Sequence, residues 1–371
     1  MKVTLPRQEF QDALAAVASL TGGRTTRPIL SCVLLEGTPD GLRLCATDGE
    51  AGLRASLPAI SIKKPGKAVV TASRLLEIVR ELQDVEISLE SDDRYCTIRG
   101  AGSEFKILVG SPEDFPPVPE FDDEPDVVLD GATVRRLIGL TLYAAARESS
   151  RFAINGVQWE KDGRRLYMVA TDGRRLARAG GPLRESKIAD FRFIIPSKAL
   201  QVLERVFVPP RDNADWTIDV RVTPNQVLLR AGDRVLSTVL VEGHFPDYEK
   251  VIPTDNDKTV RLSRTDLYAA IRKAALLTTD ESRAVRLSFE NGKLTLTSQA
   301  PEQGEARIEI PAEYAQEPLS IGFNPTFIGD ALRVLTQETV FMDLKLGFKP
   351  AIIHVGDKTE FLYVIMPVSM Q

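Results

Sequence analysis

The sequence repeats itself with an offset of 124 residues, about one third of its 371-residue length. The run Leu42–Gly49 recurs as Leu166–Gly173, and both runs end in Ala-Thr-Asp-Gly. A fainter third copy supplies Leu294–Thr297 as the corresponding strand and Pro325 at the start of its second helix. Solenoid repeats are only about 20–45 residues long, so each copy here is large enough to be a domain. We therefore expect three similar domains, at 1–122, 127–252 and 258–371.

Each copy shows the same order of elements: a helix, paired strands, a linker with proline, a second helix and further strands. Apolar residues at i, i+3 and i+4 predict six helices, at 7–20, 73–82, 132–147, 197–206, 264–276 and 325–335. Ser73 and Ser197 are expected as N-caps, and Pro325 in a first helical turn. Alternating apolar residues predict the strands. The pattern indicates an α+β fold with two helices and an antiparallel sheet per domain, the sheets joining edge to edge until self-pairing closes the array.

The net charge of −5, from 47 Lys and Arg against 52 Asp and Glu, conceals an uneven distribution. The six expected helices hold twelve basic and seven acidic residues, so they carry +5 and the rest of the chain −10. One interpretation is that the clustered Lys and Arg residues bind phosphates. The alternative is that they simply lie on helix faces exposed to water, and charge alone does not decide between the two. Each copy also has arginines just after its first helix, which either reach a phosphate or cap the helix: Arg24, Arg147 with Arg151, and Arg283.

Little in the sequence points to catalysis. Asp48 and Asp172 are a candidate acid–base pair, but each lies in a Thr-Asp-Gly step that suits a tight hairpin turn, and no nucleotide loop or nucleophile motif accompanies them. Three widely spaced cysteines, Cys32, Cys45 and Cys96, fit buried thiols in a reducing compartment better than disulfides or a zinc site. No apolar run approaches the roughly 18 residues of a membrane span. We expect no enzyme, no cofactor, no metal and no membrane contact, and a cytoplasmic location.

A family resemblance runs through the whole chain in four segments: Gly22–Leu30, Ala170–Ala177, Phe245–Tyr248 and Val364–Pro367. Together they resemble the motifs of bacterial DNA sliding clamps, the β subunits of DNA polymerase III. The resemblance implies a homodimeric ring of six similar domains around duplex DNA, with helices inside, sheets outside and contacts to the DNA backbone only. It also implies a nucleoid-associated processivity factor that a clamp-loader ATPase opens. An enzyme using the two aspartates and a peptide-docking scaffold without a DNA role are the competing hypotheses.

The resemblance also implies roles for individual residues. The DNA contacts of the family correspond to Arg24, Arg74, Lys198 and Arg283, with Arg147 and Arg151 added. The subunit interface corresponds to Phe105 and Ile107 on one side and Leu276 and Leu277 on the other. Polymerases and repair proteins with a Gln-Leu-x-Leu-Phe-like segment would bind a pocket formed by Ile154, Thr171, Gly173, Arg174, Arg175, Leu176, Pro246, Lys250, Val251, Val364, Met366 and Pro367.

The chain departs from the family pattern at three places. Arg174 replaces the histidine often found after Asp-Gly, which adds a fixed charge at the pocket. Ala153 stands where an aromatic residue often contacts DNA, leaving Phe152 alone. The tail after Pro367 is longer than usual and lacks the terminal arginine. Removing the chain from Val364 onward is expected to abolish partner binding and to leave the dimer intact.

Overall fold

The computed structural model describes residues 1–23, 25–100, 102–147, 153–210, 215–278, 284–301, 303–346 and 348–369. Those residues form six α-helices and 26 β-strands, and the strands pair in antiparallel fashion. The combination of helices with antiparallel rather than parallel sheets confirms the predicted α+β class. None of the described helices is long and apolar enough to cross a membrane.

The six helices follow the predicted segments closely. They are α1 (Arg7–Ala18), α2 (Ala72–Glu81), α3 (Gly131–Thr141), α4 (Ser197–Val206), α5 (Arg264–Ala274) and α6 (Pro325–Val334). The main difference is α3, which ends at Thr141 and is followed by a 3₁₀ turn over Leu142–Ala144, so that Arg147 lies outside it. With these bounds the helices hold eleven basic and seven acidic residues, a charge of +4 against −9 for the rest of the chain. The basic excess on the helices therefore persists.

The helix starts contradict two of the predicted caps. Strand β6 (Gly66–Thr71) runs directly into α2, so the N-cap is Thr71 and Ser73 lies inside the first turn. Strand β15 (Arg192–Pro196) likewise runs directly into α4, whose first residue is Ser197. Both N-cap predictions are wrong, because no connecting residue separates strand from helix. Pro325 does begin α6, as predicted.

The described residues divide into two compact units, and the first comprises Met1–Ala132, Arg184–Ala189 and Lys198–Leu240. Its five-stranded sheet has the order β5 (Ser61–Lys64), β1 (Lys2–Pro6), β7 (Glu86–Ser91), β8 (Tyr95–Gly100) and β9 (Ser103–Leu108). Its nine-stranded sheet has the order β14 (Glu185–Ser186), β10 (Val127–Asp130), β16 (Thr217–Val222), β17 (Gln226–Ala231), β18 (Arg234–Val239), β4 (Ala51–Leu57), β3 (Gly41–Thr47), β2 (Cys32–Thr38) and β6. The pairing of β4 with β18 joins strands of the first and second copies edge to edge.

The second unit comprises Thr133–Leu183, Asp190–Ser197 and Val241–Gln371. Its eight-stranded sheet has the order β15, β11 (Gly156–Asp162), β12 (Arg165–Thr171), β13 (Arg175–Pro182), β26 (Phe361–Ile365), β25 (Ala351–His354), β24 (Thr339–Leu344) and β19 (Lys258–Ser263). Its four-stranded sheet has the order β22 (Gly304–Pro311), β21 (Lys293–Ala300), β20 (Val285–Glu290) and β23 (Leu319–Phe323). The pairing of β13 with β26 joins strands of the second and third copies. The predicted edge-to-edge joining is thus present in both units, while the exact domain bounds stay a prediction.

Two of the three cysteines lie in the core. Cys45 and Cys96 are buried and Cys32 is half-buried, and all three are free. Burial raises the pKa of the Cys45 thiol to about 11 and that of Cys96 to about 12, so both remain protonated at neutral pH. The prediction of three buried thiols is therefore correct for two of them.

Candidate functional site

Asp48 and Asp172 each form a tight turn between two strands. The Oδ1 atom of Asp48 accepts hydrogen bonds of 2.9 and 2.8 Å from the two N–H groups that follow the turn glycine. Asp172 Oδ1 does the same at 2.9 and 3.1 Å. The glycines, Gly49 and Gly173, have φ angles of 97° and 83°, in the left-handed region that favours glycine. The interpretation of Asp48 and Asp172 as turn residues is confirmed, since each carboxylate accepts hydrogen bonds from two backbone N–H groups of its turn.

Arg175 begins β13, and its side chain is only 10% exposed. Its Nε donates to Asp172 Oδ2 at 3.0 Å, its Nη1 to Asp330 Oδ2 at 2.8 Å and its Nη2 to the Tyr143 carbonyl at 2.7 Å. Its guanidinium carbon also lies 4.5 Å from the centre of the Phe327 ring. Burial opposes the charge, but the hydrogen bond to Asp330 helps to hold the pKa of Arg175 above its ordinary value. Arg175 therefore ties the Asp-Gly turn to α6 and presents no free charge to a ligand.

Leu176 and Val364 face each other across β13 and β26 and belong to one apolar cluster of the eight-stranded sheet. The other buried members of this cluster are Val169, Tyr248, Ile352 and Leu362. Phe245 and Ile252 are partly buried and pack against it. Two predicted pocket residues thus form part of an apolar floor that spans four neighbouring strands and is covered by the segment around Tyr248.

Tyr248 anchors the covering segment, Phe245–Val251. Its ring is buried, and its hydroxyl donates to Glu160 Oε2 at 3.1 Å. The buried Glu160 carboxylate also accepts from Gln158 at 3.2 Å and from Arg192 at 2.8 Å. Burial and the nearby Glu160 carboxylate raise the pKa of Tyr248 above its ordinary value, so the hydroxyl remains a donor. Nothing in the sequence pattern indicated Glu160, which lies 88 residues away along the chain.

The remaining predicted pocket residues lie in the same unit and differ in exposure. Several are exposed: Gly173, Arg174, Lys250, Val251 and Met366. The others are buried or half-buried: Ile154, Thr171, Pro246 and Pro367. Val251 is 53% and Met366 44% exposed, large fractions for apolar side chains. The arrangement offers apolar contact area above a buried apolar floor, which is the chemistry of a peptide-binding groove.

An exposed phenylalanine at the same end of the sheet was missed by the sequence reasoning. Ala351 of β25 pairs with Ile365 of β26, so the loop before Ala351 lies at the end of the sheet where Met366 follows β26. Phe348 in this loop is 71% exposed. Large apolar side chains exposed beside one another mark interaction surfaces. The apolar residues Leu346 and Phe348 between lysines were the available signal in the sequence.

The burial of β26 corrects the expectation about the tail. Val364 is 2% exposed and Ile365 is fully buried. Their strand lies inside the sheet, between β13 and β25. Truncation from Val364 would remove core residues from an interior strand, so it would perturb the fold as well as the pocket. A truncation that leaves the sheet intact begins at Met366.

Three of the predicted DNA contacts are described, while Arg24, Arg151 and Arg283, together with Phe152, lie outside the described residues. Arg74 is exposed on α2, with its Nη1 2.9 Å from Glu77 Oε2. Arg147 is exposed after the 3₁₀ turn that follows α3. Lys198 is exposed at the start of α4 and forms an ion pair with Asp48. The Arg74–Glu77 pair is exposed on both sides, and such pairs contribute only about 0–1 kcal/mol, so Arg74 is able to exchange its carboxylate for a phosphate. Lys198 is itself exposed, whereas the Asp48 side chain is only 13% exposed.

Strands β9 and β22 are edges of their sheets and have no outer strand neighbour among the described residues. On β9, Phe105 is 37% exposed and Ile107 is half-buried. The 3₁₀ turn beside β22, Ala275–Leu277, contains Leu276, which is 76% exposed, and the half-buried Leu277. Open edges with apolar side chains pair readily with another strand. All four predicted interface residues therefore lie on or beside an open edge.

Within the described part of the chain, no group of three or more His, Cys, Asp and Glu residues is placed to hold a metal ion. His354 Nε2 lies 3.3 Å from Asp343 Oδ2, and its Nδ1 accepts from the Gly356 N–H at 3.2 Å. Asp343 also pairs with Lys358 at 2.5 Å and accepts from Thr259 at 2.8 Å. Burial by itself would raise the pKa of Asp343, but the hydrogen bonds from His354, Lys358 and Thr259 outweigh burial and hold the pKa well below its ordinary value. The cluster is an internal network of the eight-stranded sheet.

Comparisons with known proteins cover the whole chain. Three family models match in succession: the N-terminal domain of the DNA polymerase III beta subunit over residues 1–119, the central domain over 128–247 and the C-terminal domain over 249–369. The beta sliding clamps of Escherichia coli K12 and Pseudomonas aeruginosa are each 31% identical over 371 residues, covering 100% of both chains. These matches confirm the expectation of three similar domains.

Solved structures agree with the sequence comparison. The DNA polymerase III subunit beta of Pseudomonas aeruginosa matches with a TM-score of 0.93 at 30% identity over 100% of both chains. A structure of that clamp bound to griselimycin gives the same values. The sliding clamp of Bacillus subtilis matches with a TM-score of 0.94 at 25% identity, again over 100% of both chains.

Proposed function

This chain belongs to the DNA polymerase III beta subunit family, and from that membership we propose how its residues perform the family's task. It is a sliding clamp, a non-catalytic processivity factor whose partners are duplex DNA, a second copy of itself and DNA polymerases. The observation that carries this function is the succession of three beta subunit domains over the full chain. A ring built from such domains holds DNA topologically and needs no sequence-specific contact. We propose the bounds 1–122, 127–252 and 258–371 for them.

We propose that duplex DNA lies against the helices. Their charge of +4 against −9 elsewhere supports this side, because phosphate binding follows local positive charge. Arg74, Arg147 and Lys198 would contact phosphates, together with Arg24, Arg151 and Arg283. Phosphate contacts carry no sequence information, so the protein can move along the duplex. Where Glu77 or Asp48 already holds the cation, DNA binding is an exchange of partners, which keeps each contact weak.

We propose that the ring closes by pairing β9 of one copy with β22 of another. The repeat supports this pairing. In both intrachain joints, the third strand after the first helix of one copy pairs with the final strand of the next copy: β4 pairs with β18, and β13 pairs with β26. The strands at these places that remain unpaired in the described chain are β22 and β9. Phe105 and Ile107 would then pack with Leu276 and Leu277 of the other copy.

We propose that the groove over Leu176 and Val364 binds the Gln-Leu-x-Leu-Phe-like segments of polymerases and repair proteins. Its buried floor and its exposed Val251, Met366 and Phe348 offer apolar area to the leucine and phenylalanine side chains of such a segment. A separate clamp-loader ATPase would open the ring, since the sequence contains no nucleotide-binding loop. A DNA polymerase III subunit acts in the cytoplasm, and we propose that this one associates with the nucleoid.

The test is retention on DNA of defined topology. Protein loaded by a clamp loader onto a nicked circular plasmid should elute with the DNA in gel filtration and be lost once the plasmid is linearised. End-blocking proteins should restore retention. Persistent binding to unblocked linear DNA would contradict topological holding.

A charge-reversal variant tests the DNA side separately. Arg74→Glu combined with Lys198→Glu should reduce loading and polymerase stimulation on primed circles, because two phosphate contacts become repulsive. The matched control is Arg164→Glu, an exposed arginine in the turn between β11 and β12. Unchanged stimulation in the double variant would favour the peptide-docking scaffold without a DNA role.

A further inference from the structure

Arg174 and Arg175 are consecutive arginines with opposite surroundings. The Arg175 guanidinium is nearly buried and hydrogen-bonded to two carboxylates. Arg174 is exposed, and within the described residues its guanidinium forms no ion pair and no hydrogen bond. An arginine with five donors and no acceptor inside the protein is available to a ligand.

Arg174 lies at the mouth of the groove. It follows Gly173, whose left-handed backbone turns the chain, and its carbonyl accepts a 3.1 Å hydrogen bond from the Met366 N–H. That bond places the Arg174 backbone directly beside the exposed Met366. Two residues further on, Leu176 enters the buried floor. A peptide lying over Leu176 and Met366 would therefore pass within reach of the Arg174 side chain.

Two other charged pairs lie beside the groove. Asp172 is held by Arg175, with 3.0 Å between the paired atoms. The Lys250 Nζ lies 2.7 Å from Asp247 Oδ2. These pairs nearly cancel, which leaves Arg174 as the unpaired cation of the Asp-Gly turn, while the exposed Glu249 of the covering segment forms no ion pair among the described residues. A partner carboxylate placed there would meet a cation without displacing an internal acid.

We propose that Arg174 is a specificity-determining residue that selects partner peptides with an aspartate or glutamate within or just before the apolar motif. The inference rests on the proposed peptide groove. A carboxylate matches the planar fork of the guanidinium and forms two parallel hydrogen bonds with it. The chemistry of the preferred partner is thus an apolar segment with an adjacent negative charge, rather than a neutral one.

Fluorescence anisotropy with synthetic peptides tests the proposal. One matched pair is Gln-Leu-Asp-Leu-Phe and Gln-Leu-Asn-Leu-Phe, and a second pair has Asp or Asn directly before the glutamine of Gln-Leu-Ser-Leu-Phe. In at least one pair the wild-type chain should bind the Asp peptide about threefold to fivefold more tightly, the range of an exposed ion pair. The preference should shrink in 0.5 M salt.

Variants assign that preference to one side chain. Arg174→Gln should remove the preference for the Asp peptide over its Asn partner, Arg174→Lys should retain part of it, and the exposed control Arg164→Gln should leave it intact. Equal binding of Asp and Asn peptides in both pairs, or a preference that survives in Arg174→Gln, would overturn the proposal for Arg174 alone. Binding of none of the peptides to the wild-type chain would overturn the groove as well.

Discussion

The Arg175 network makes a quantitative prediction, with Arg174 as its internal control. We predict that Arg175→Met destabilises the region around β13 and α6, whereas Arg174→Met does not. Breaking a buried ion pair by removing one partner costs about 3–5 kcal/mol. Here the Asp172 and Asp330 side chains are 20% exposed, so water screens part of that cost. Arg333, 3.2 Å from Asp330, continues to neutralise one of the carboxylates. We therefore expect a loss of about 2–3 kcal/mol.

Hydrogen exchange measured by mass spectrometry on the full-length chain is the suitable assay, because a chain with two compact units need not unfold in one step. A local loss of about 2–3 kcal/mol corresponds to roughly 30-fold to 150-fold faster exchange of the protected amides of β13 and α6. Arg174→Met should stay within about twofold of the wild-type chain, the range of ordinary surface substitutions. Asp330→Asn keeps the side-chain shape and should give an intermediate value.

One result would refute the reasoning. If the amides of β13 and α6 exchange at the same rate in Arg175→Met as in Arg174→Met, then the three hydrogen bonds of Arg175 do not hold the Asp-Gly turn to α6. The buried guanidinium would then be a tolerated charge rather than a stabilising one.

Three shorter predictions concern other parts of the molecule. Asp343→Asn should destabilise β24 and its neighbouring strands at pH 7, and the difference from wild type should narrow below about pH 4, because a carboxylate with a depressed pKa loses its stabilising effect as acid protonates it. Hydrogen exchange of the β24 amides, compared with wild type at each pH, measures this local difference. Tyr248→Phe should weaken peptide binding about fivefold in anisotropy, since Glu160 no longer anchors the covering segment, and should leave clamp loading unchanged. Phe105→Asp or Leu276→Asp should shift the dimer toward monomer in analytical ultracentrifugation; an unchanged dimer would place the interface elsewhere.

Local rules explain what the sequence could predict. The helices follow from apolar spacing, and the Asp-Gly turns follow from the need for a left-handed residue after the aspartate. The N-caps failed because strand and helix are continuous at those points. At α4 the Ser197 hydroxyl instead donates to the Asn155 carbonyl at 2.9 Å, a partner 42 residues earlier in the chain.

Long-range partners explain what the sequence could not predict. Asp330 reaches Arg175 across 155 positions, and Glu160 reaches Tyr248 across 88, with no local pattern to announce either contact. Motif matching grouped Arg174 and Arg175 as equivalent pocket residues, yet one faces solvent and the other is nearly buried. Arg175 begins β13 and Arg174 precedes it, so which of the two faces inward depends on the register of β13 against β26, and that register is a property of the folded sheet.

The two edge-to-edge joints also determine which strands of the middle repeat share a sheet with a neighbouring repeat. The β4–β18 joint draws Lys198–Leu240 of the middle repeat into the first unit, while the β13–β26 joint lies in the second unit with Thr133–Leu183. The strands of the middle repeat are thus shared between two compact units. If the middle repeat were expressed alone, β13 and β18 would lose their partners β26 and β4 and become unpaired sheet edges, which are prone to aggregation. Chimeras that exchange material between relatives should therefore preserve both joints, β4 with β18 and β13 with β26.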